Sequence, residues 1–230
     1  MTPIAAFWLR LTNRLRFGLF VQEILDRVAR IGVVIYPYVL IYEPMLRRPQ
    51  ADVLPEGLSV RQLEPHEADL IASVPERPCD TTKIRELMKT AGCCAIVDHD
   101  ELLAYGWFCC DQLRGMSGTN ALCRLPPGWA YLFDMYVRPV ARGRQLAVHL
   151  RHHVQKILAD QGIEHFCSRS LFFNRSARRF KHKLGAFDVE LRVLLRLKPF
   201  PGVDLRLRRK PWDLQIPGLQ PVHVPDRSSS

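Results

Sequence analysis

Several features that would announce a chemistry are missing from this chain. Seven cysteines are present, yet none forms a Cys-x-x-Cys pair, and no His, Cys, Asp or Glu group has metal-ligand spacing, so no metal is expected. An odd cysteine count with two adjacent pairs, Cys93-Cys94 and Cys109-Cys110, suits no disulfide framework. Neighbours in a strand point to opposite faces, and a turn at Asp98–Glu101 sets Cys94 opposite about Tyr105, too far from Cys109 to bridge. Reduced, buried cysteines and a cytoplasmic setting follow. Long apolar runs are also lacking. The stretch Gly32 to Tyr42 is eleven residues and contains Pro37, against the ~20 residues a membrane helix needs. Arg10, Arg14 and Arg16 interrupt the apolar start, so no secretory leader is expected. There is no internal repeat.

Acids are scarce in one region. Between Arg138 and Lys183 eleven Lys and Arg face only Asp160 and Glu164, so this segment holds nearly all of the chain's net charge of +10. Such clustering favours an anionic ligand or partner. The same region reads as strand Tyr131–Val137, closed by Arg138-Pro139; a basic turn Arg142-Gly143-Arg144-Gln145-Leu146-Ala147; a helix to about Gln161; a strand from near Ile163; and a helix opened by Asn174. A turn between a strand end and a helix N-terminus aims unpaired N–H groups at one point, beside the positive end of the helix dipole. That suits a phosphate or pyrophosphate.

With 230 residues and 47% apolar content, the chain is expected to form one domain with terminal additions. Residues 4–31 read as one or two helices. In them Val21, Ile24, Leu25, Val28 and Ile31 form an apolar stripe, with Gln22, Glu23, Asp26, Arg27 and Arg30 opposite. The basic, aromatic start (Phe7, Trp8, Leu11, Leu15) suits docking on the body of the protein, on a second copy or on an anionic membrane. Val33 to Tyr42 is strand-like, with Pro37 placing it at an edge or splitting it. Glu43 to Pro55 is a linker. Leu58–Leu63 is a short strand, followed by a helix start at Glu64–Asp69 and a helix over Thr81–Thr90. Gly92–Val97 with Leu102–Cys110 is a hairpin, and 111–128 is a long loop of the kind that carries binding. Val189–Leu197 and Val203–Leu207 close the strands, and from Arg208 a Pro-rich, Ser-ending tail follows. The organisation expected is therefore 1–55 as an extension, 56–200 as the main domain and 201–230 as strand and tail.

This order, with the residues of the turn, resembles the GNAT superfamily of acyl-CoA-dependent N-acyltransferases over about Leu58 to Leu197. Its pyrophosphate loop, Gln/Arg-x-x-Gly-x-Gly/Ala, is met by Arg142 and Ala147, with Gln145 where a Gly is usual. Its second signature is met by Asn174-x-x-Ala177-x-x-Phe180 followed by Leu184-Gly185-Ala186-Phe187. The resemblance implies a mixed, mostly antiparallel α/β sheet flanked by helices, here with an N-terminal helix and strand added, and acetyl-CoA or another acyl-CoA as co-substrate. It assigns the pyrophosphate to the backbone of Arg142, Gly143, Arg144, Gln145, Leu146 and Ala147, provided that φ of Gln145 is negative. The pantetheine arm goes to the backbone of Met135, Tyr136 and Val137, and Asn174, Arg178 and Lys181 become further cofactor contacts. Asn174 serves equally well as a helix N-cap.

Acyl transfer to an amine needs a base and a proton for the departing thiolate. Asp134 is the only acid on the strand beside the thioester position, and its bland reading is a buried acid paired to an arginine such as Arg169. The family's proton-donating Tyr position is Lys181 here, so Tyr131 and Tyr136 become the candidates, with water beside them. His182 reads as solvated, and His149, His152 and His153 as exposed helix residues. The function this implies is N-acetyl transfer to the primary amine of an acceptor that the residues do not identify. Two alternatives stay open: a longer acyl chain delivered as acyl-CoA or by an acyl carrier protein at the inner face of a membrane, and a non-catalytic acyl-CoA binder. Nucleic acid is disfavoured, since the basic cluster lacks interleaved aromatics. A homodimer is open.

Overall fold

The computed structural model describes residues 20–45, 54–110, 112–113, 123–198, 200 and 202–209. In chain order the elements are α1 (Phe20–Arg30), β1 (Val33–Glu43), β2 (Leu58–Gln62), α2 (Ala68–Ala72), α3 (Thr81–Met88), β3 (Gly92–Asp98), β4 (Glu101–Cys109), β5 (Gln112–Leu113), β6 (Cys123–Arg124), β7 (Trp129–Val137), α4 (Leu146–Asp160), β8 (His165–Leu171), α5 (Arg175–Lys183), β9 (Phe187–Leu197) and β10 (Val203–Arg209). Eight of the strands form a mostly antiparallel sheet, the mixed α/β class expected. By contacts the chain divides into two compact units, Pro44–Leu113 with Leu125–Cys167, and Met1–Glu43 with Arg114–Arg124 and Ser168–Ser230. Expectations for residues 4–19, for 46–53 of the linker, for 114–122 of the long loop and for the tail beyond 209 lie outside the described residues. The short strands β5 and β6 stand where an unbroken loop was expected.

In the first unit β2, β3, β4 and β7 pair antiparallel in that order. The hairpin turns at His99-Asp100, and a bulge at Ile96/Val97 moves the register by one, so Cys94 faces Gly106 rather than Tyr105. None of the six cysteines with described side chains is in a disulfide, and four of them are buried. Helix α4 packs by a stripe one residue in four: Leu146, Leu150, Val154 and Leu158 are at most 4% exposed and meet Phe108, Leu132 and Phe166. Burying each such side chain contributes ~1.5–3 kcal/mol, which fixes the helix on the strands. The helix stops at Gly162, whose φ of +81° lets Ile163 N–H reach back to Leu158 O at 3.0 Å, a left-handed C-cap that favours Gly. His149, His152 and His153 are half-buried, not exposed. Burial, helped by Lys156 and His152, holds the His153 pKa low.

The second unit holds β10, β9 and β1, antiparallel neighbours in that order, and the end of β8 from Ser168. Pro37 does not split β1 or lie at an edge: the strand is continuous and Pro37 stands opposite Val193. The bond that makes this tolerable is Phe172 N–H to Pro37 O, 3.0 Å. Nitrogen and carbonyl of one strand residue point the same way, so the missing proton of Pro37 costs β9 nothing. Helix α1 also differs from its pattern. Gln22 is buried at 4% and bonds Asp26, while Val21, Ile24 and Ile31 are exposed. Asp26 lies close enough to Tyr36 to help burial push that phenol up to about 12. The inward side of α1 is mixed: Gln22 and Asp26 lie with the half-buried Leu25 and Val28, while Arg27 and Arg30 stay exposed.

Candidate active site

Strand β7 is regular from Trp129 to Phe133, where Tyr131 stands opposite Cys109 and Phe133 opposite Trp107. Pairing then resumes at Tyr136 opposite Tyr105, because Gly106 faces the two-residue bulge Asp134-Met135. The bulge turns on Asp134, whose φ is +41°; Asp tolerates the left-handed region better than most residues. One extra residue resets the alternation, so Tyr131, Phe133 and Tyr136 share a face. Asp134 is freed from the sheet's in-and-out pattern, its side chain 43% exposed.

The partner of Asp134 is Arg77, not Arg169, and the acid is not buried. Arg77 Nη1 donates to Asp134 Oδ1 at 2.8 Å. Arg77 lies after α2 in the loop 73–80, and its guanidinium stands 5.1 Å from the Tyr136 ring centroid and 5.9 Å from that of Tyr105. Burial opposes the guanidinium's charge, but Asp134 and the two tyrosines outweigh it and raise its pKa. Tyr105 is buried at 4% and its phenol is pushed well up, by burial first and by the Asp134 charge second. The Tyr136 phenol is raised more modestly, by burial and then by Glu76. Tyr131 is buried at 7% with its ring stacked on Phe133 at 5.5 Å. Cys93 and Cys94 stay protonated: burial pushes Cys94 up to about 12 and Cys93 higher, which removes them as nucleophiles. Arg77 carried no signal of its own in the sequence beyond its place in a Pro-bracketed loop, Pro75-Glu76-Arg77-Pro78.

From Val137 the chain runs through Arg138, clamped by Glu76 and Glu101, into a single 3-10 turn at Pro139–Ala141 and the basic turn. Gly143 has φ +87° with nothing within 4 Å of where a Cβ would stand. Gln145 is left-handed as well, φ +57°, so the negative φ set as a condition for pyrophosphate binding is not met; the backbone instead takes the conformation that the usual Gly favours at this position. Gln145 is the N-cap of α4, its carbonyl accepting from Val148 N–H at 2.8 Å and from His149 N–H at 3.3 Å. Its side chain makes no cap bond. Among the described residues, no backbone bond engages the N–H groups of Gly143 to Ala147. Arg142 and Arg144 are exposed, Arg142 Nε reaching back to Val137 O at 3.4 Å. Open space, free donors and two exposed cations fit a pyrophosphate. Behind β7 lies a small apolar cleft lined by Gly106, Trp107, Phe133, Met135, Leu150, Arg151 and Val154.

Within the second unit, Asn174 caps α5 by accepting from Ala177 N–H at 3.1 Å. Arg178 donates to Asp188 at 2.6 Å and to Phe172 O at 3.3 Å. Lys181 is buried at 8%, donating to Ser168 Oγ at 2.6 Å and Arg169 O at 3.2 Å beside Glu43 at 3.5 Å. His182 is not simply solvated, since its Nε2 meets Asp188 Oδ1 at 2.8 Å. Arg169 lies over the Tyr38 ring.

A family model of the acetyltransferase (GNAT) family matches residues 60–186, more than half of the chain. The chain belongs to this GNAT family. Its solved structural neighbours include a Drosophila protein (TM-score 0.51, 16% identity, covering 78% of this chain and 58% of that one). A GCN5-related N-acetyltransferase from Sphaerobacter thermophilus is similar at TM-score 0.50 and 16% identity, covering 80% of this chain and 58% of that one. An aminoglycoside N-acetyltransferase solved with CoA aligns at TM-score 0.44 and 14% identity, over 55% of this chain and 90% of that one. The chain thus spans under three-fifths of the length of the first two. At these identities the neighbours speak for the GNAT fold alone. No curated protein sequence matches. Among the described residues no group of side chains is arranged to hold a metal ion, and no helix is long and apolar enough to cross a membrane.

Proposed function

We propose that this GNAT protein is an N-acetyltransferase that moves the acetyl group of acetyl-CoA to the primary amine of an acceptor, with residues 56–200 as the catalytic domain. The observation that carries the reading is the bulge of β7, which leaves a half-exposed carboxylate, Asp134, on the strand that leads into the open, basic turn before α4. The turn N–H groups from Gly143 to Ala147, with Arg142 and Arg144, take the pyrophosphate, and the backbone of Met135 to Val137 takes the pantetheine arm. Asp134 receives the proton of the acceptor ammonium, directly or through one water. The amine nitrogen then attacks the thioester carbonyl and gives up its second proton to water, the carbon–sulfur bond breaks, and the thiolate takes up a proton. Tyr136 is the better placed donor for that last step, being half-exposed where Tyr131 is buried. Asn174, Arg178 and Lys181 are committed to bonds within their own unit, so the phosphate charge falls on Arg142 and Arg144.

Melting shifts with CoA, acetyl-CoA and palmitoyl-CoA test the donor. A ligand at a hundred times its Kd adds ~2.7 kcal/mol, and a shift with palmitoyl-CoA alone would replace acetyl by a long chain. Thiol release over an amine panel tests turnover. Asp134→Asn should lower turnover at least a hundredfold with CoA affinity unchanged, and unaltered turnover would remove Asp134 from the mechanism.

A further inference from the structure

The ion pair on Asp134 says something about the acceptor, and the inference rests on the acyl transfer proposed above. Arg77 and Asp134 meet at 2.8 Å with side chains 41% and 43% exposed, and each is left half-used. The guanidinium spends one N–H on Oδ1, and among the described residues no donor reaches Oδ2. An arginine and a carboxylate that choose their own geometry pair through two parallel bonds. Here the guanidinium is held over two tyrosine rings instead, so the rings, and not the acid, fix where its remaining N–H groups lie. The result is a fixed cation and a fixed anion, side by side, each with bonding capacity left.

We infer that this pair recognises an acceptor bearing a carboxylate next to its amine, of the α-amino acid class. In such a molecule the amine nitrogen and the carboxylate carbon stand roughly 2.5 Å apart, so both of its charged groups can reach a cation and an anion that are in direct contact, as Arg77 and Asp134 are. Laid antiparallel beside it, the zwitterion presents its ammonium to Oδ2 of Asp134 and its carboxylate to the unused N–H groups of Arg77. All four charges are then satisfied and the pair need not open. The same docking sets the reactive nitrogen on the acid that removes its proton. A simple amine meets only an anion already countered by Arg77, and leaves the guanidinium without its second partner. A site built for a polar group rejects analogues that lack it more strongly than an apolar pocket rejects a missing methylene.

Matched acceptors provide the test: phenylalanine, phenylalaninamide and phenethylamine, with leucine, leucinamide and isoamylamine as a second set. Each is titrated calorimetrically into the CoA-loaded full chain, and thiol release from acetyl-CoA is followed in parallel. The acids should bind at least tenfold more tightly than their amides. Arg77→Gln should abolish that preference and Arg77→Lys keep part of it, the change falling on KM more than on kcat. Should Arg77→Gln fail to fold, the comparison of acids with amides on the native chain decides alone. Acids and amides that bind alike, or acids that do not bind at all, overturn the inference while CoA binding and thiol release with other amines keep the acyltransferase reading. A chain that does not bind CoA loses both.

Discussion

Replacing Lys181 by methionine is the sharpest perturbation of the fold, because its cost follows from two buried side chains. Lys181 and Glu43 are 10% and 5% exposed and their charged atoms stand 3.5 Å apart. At an effective dielectric of about 20 that separation corresponds to about 5 kcal/mol of attraction. Breaking one side of a buried pair costs ~3–5 kcal/mol, because the remaining charge loses its counter-charge. Ser168 Oγ and Arg169 O lose their donor too. Lys181→Met should therefore lower the unfolding free energy by ~3–5 kcal/mol, and Glu43→Gln by somewhat less. The double variant, with both charges gone, should recover at least ~2 kcal/mol of the summed loss. Urea unfolding followed by tryptophan fluorescence measures all four proteins, and equal slopes would show that the unfolded state is unchanged. Costs that add to within ~0.5 kcal/mol would refute the pair as an energetic unit. The same variants separate architecture from ligand binding: CoA affinity measured well below each melting point should not move.

Gln145→Gly should stabilise the chain by ~0.5–1 kcal/mol, since relief of left-handed strain exceeds the extra freedom of glycine when unfolded; a loss in urea unfolding would contradict the positive φ. Asn174→Ala should cost ~1 kcal/mol and Asn174→Asp almost nothing, because either side-chain oxygen caps α5; a CoA affinity lost with Asp but stability retained would give the amide a second task. Asp188 is opposed in its charge by burial, but hydrogen bonds from His182 and Arg178 win and hold its pKa below the usual carboxylate range. Its contribution is thus complete above the ordinary carboxylate pKa and fades as pH falls through its own lower value. The stability gap between native chain and Asp188→Asn, ~1–3 kcal/mol near neutrality, should close on acidification below about pH 4; a constant gap would show that the charge is not what matters.

Local chemistry announced most of the elements. Two apolar runs about a turn at Asp98–Glu101 marked the β3–β4 hairpin, the basic Gly-containing turn marked the start of α4, and Asn174 marked the start of α5. What stayed hidden has one physical cause, contact between residues far apart in sequence. Periodicity showed that residues 20–30 form a helix but not which side β1 would take, and Gln22 went inward, its amide donating to Asp26 there. The facing of Asp134 depended on a single inserted residue, and its true partner lies 57 positions upstream. Lys181 reads as one more cation in a basic run until Glu43, from the other end of the chain, is folded against it.

A residue without an amide proton can serve as a full stop. Phe172 gives its hydrogen to Pro37 and residue 37 has none to return; the Phe172 carbonyl accepts from Arg178 of α5 instead. Strand β8 ends at Leu171, and Asn174 caps α5 two residues after Phe172. The return of the chain from β8 into the family's second signature is thus tied by a helix side chain and not by a second backbone bond to residue 37.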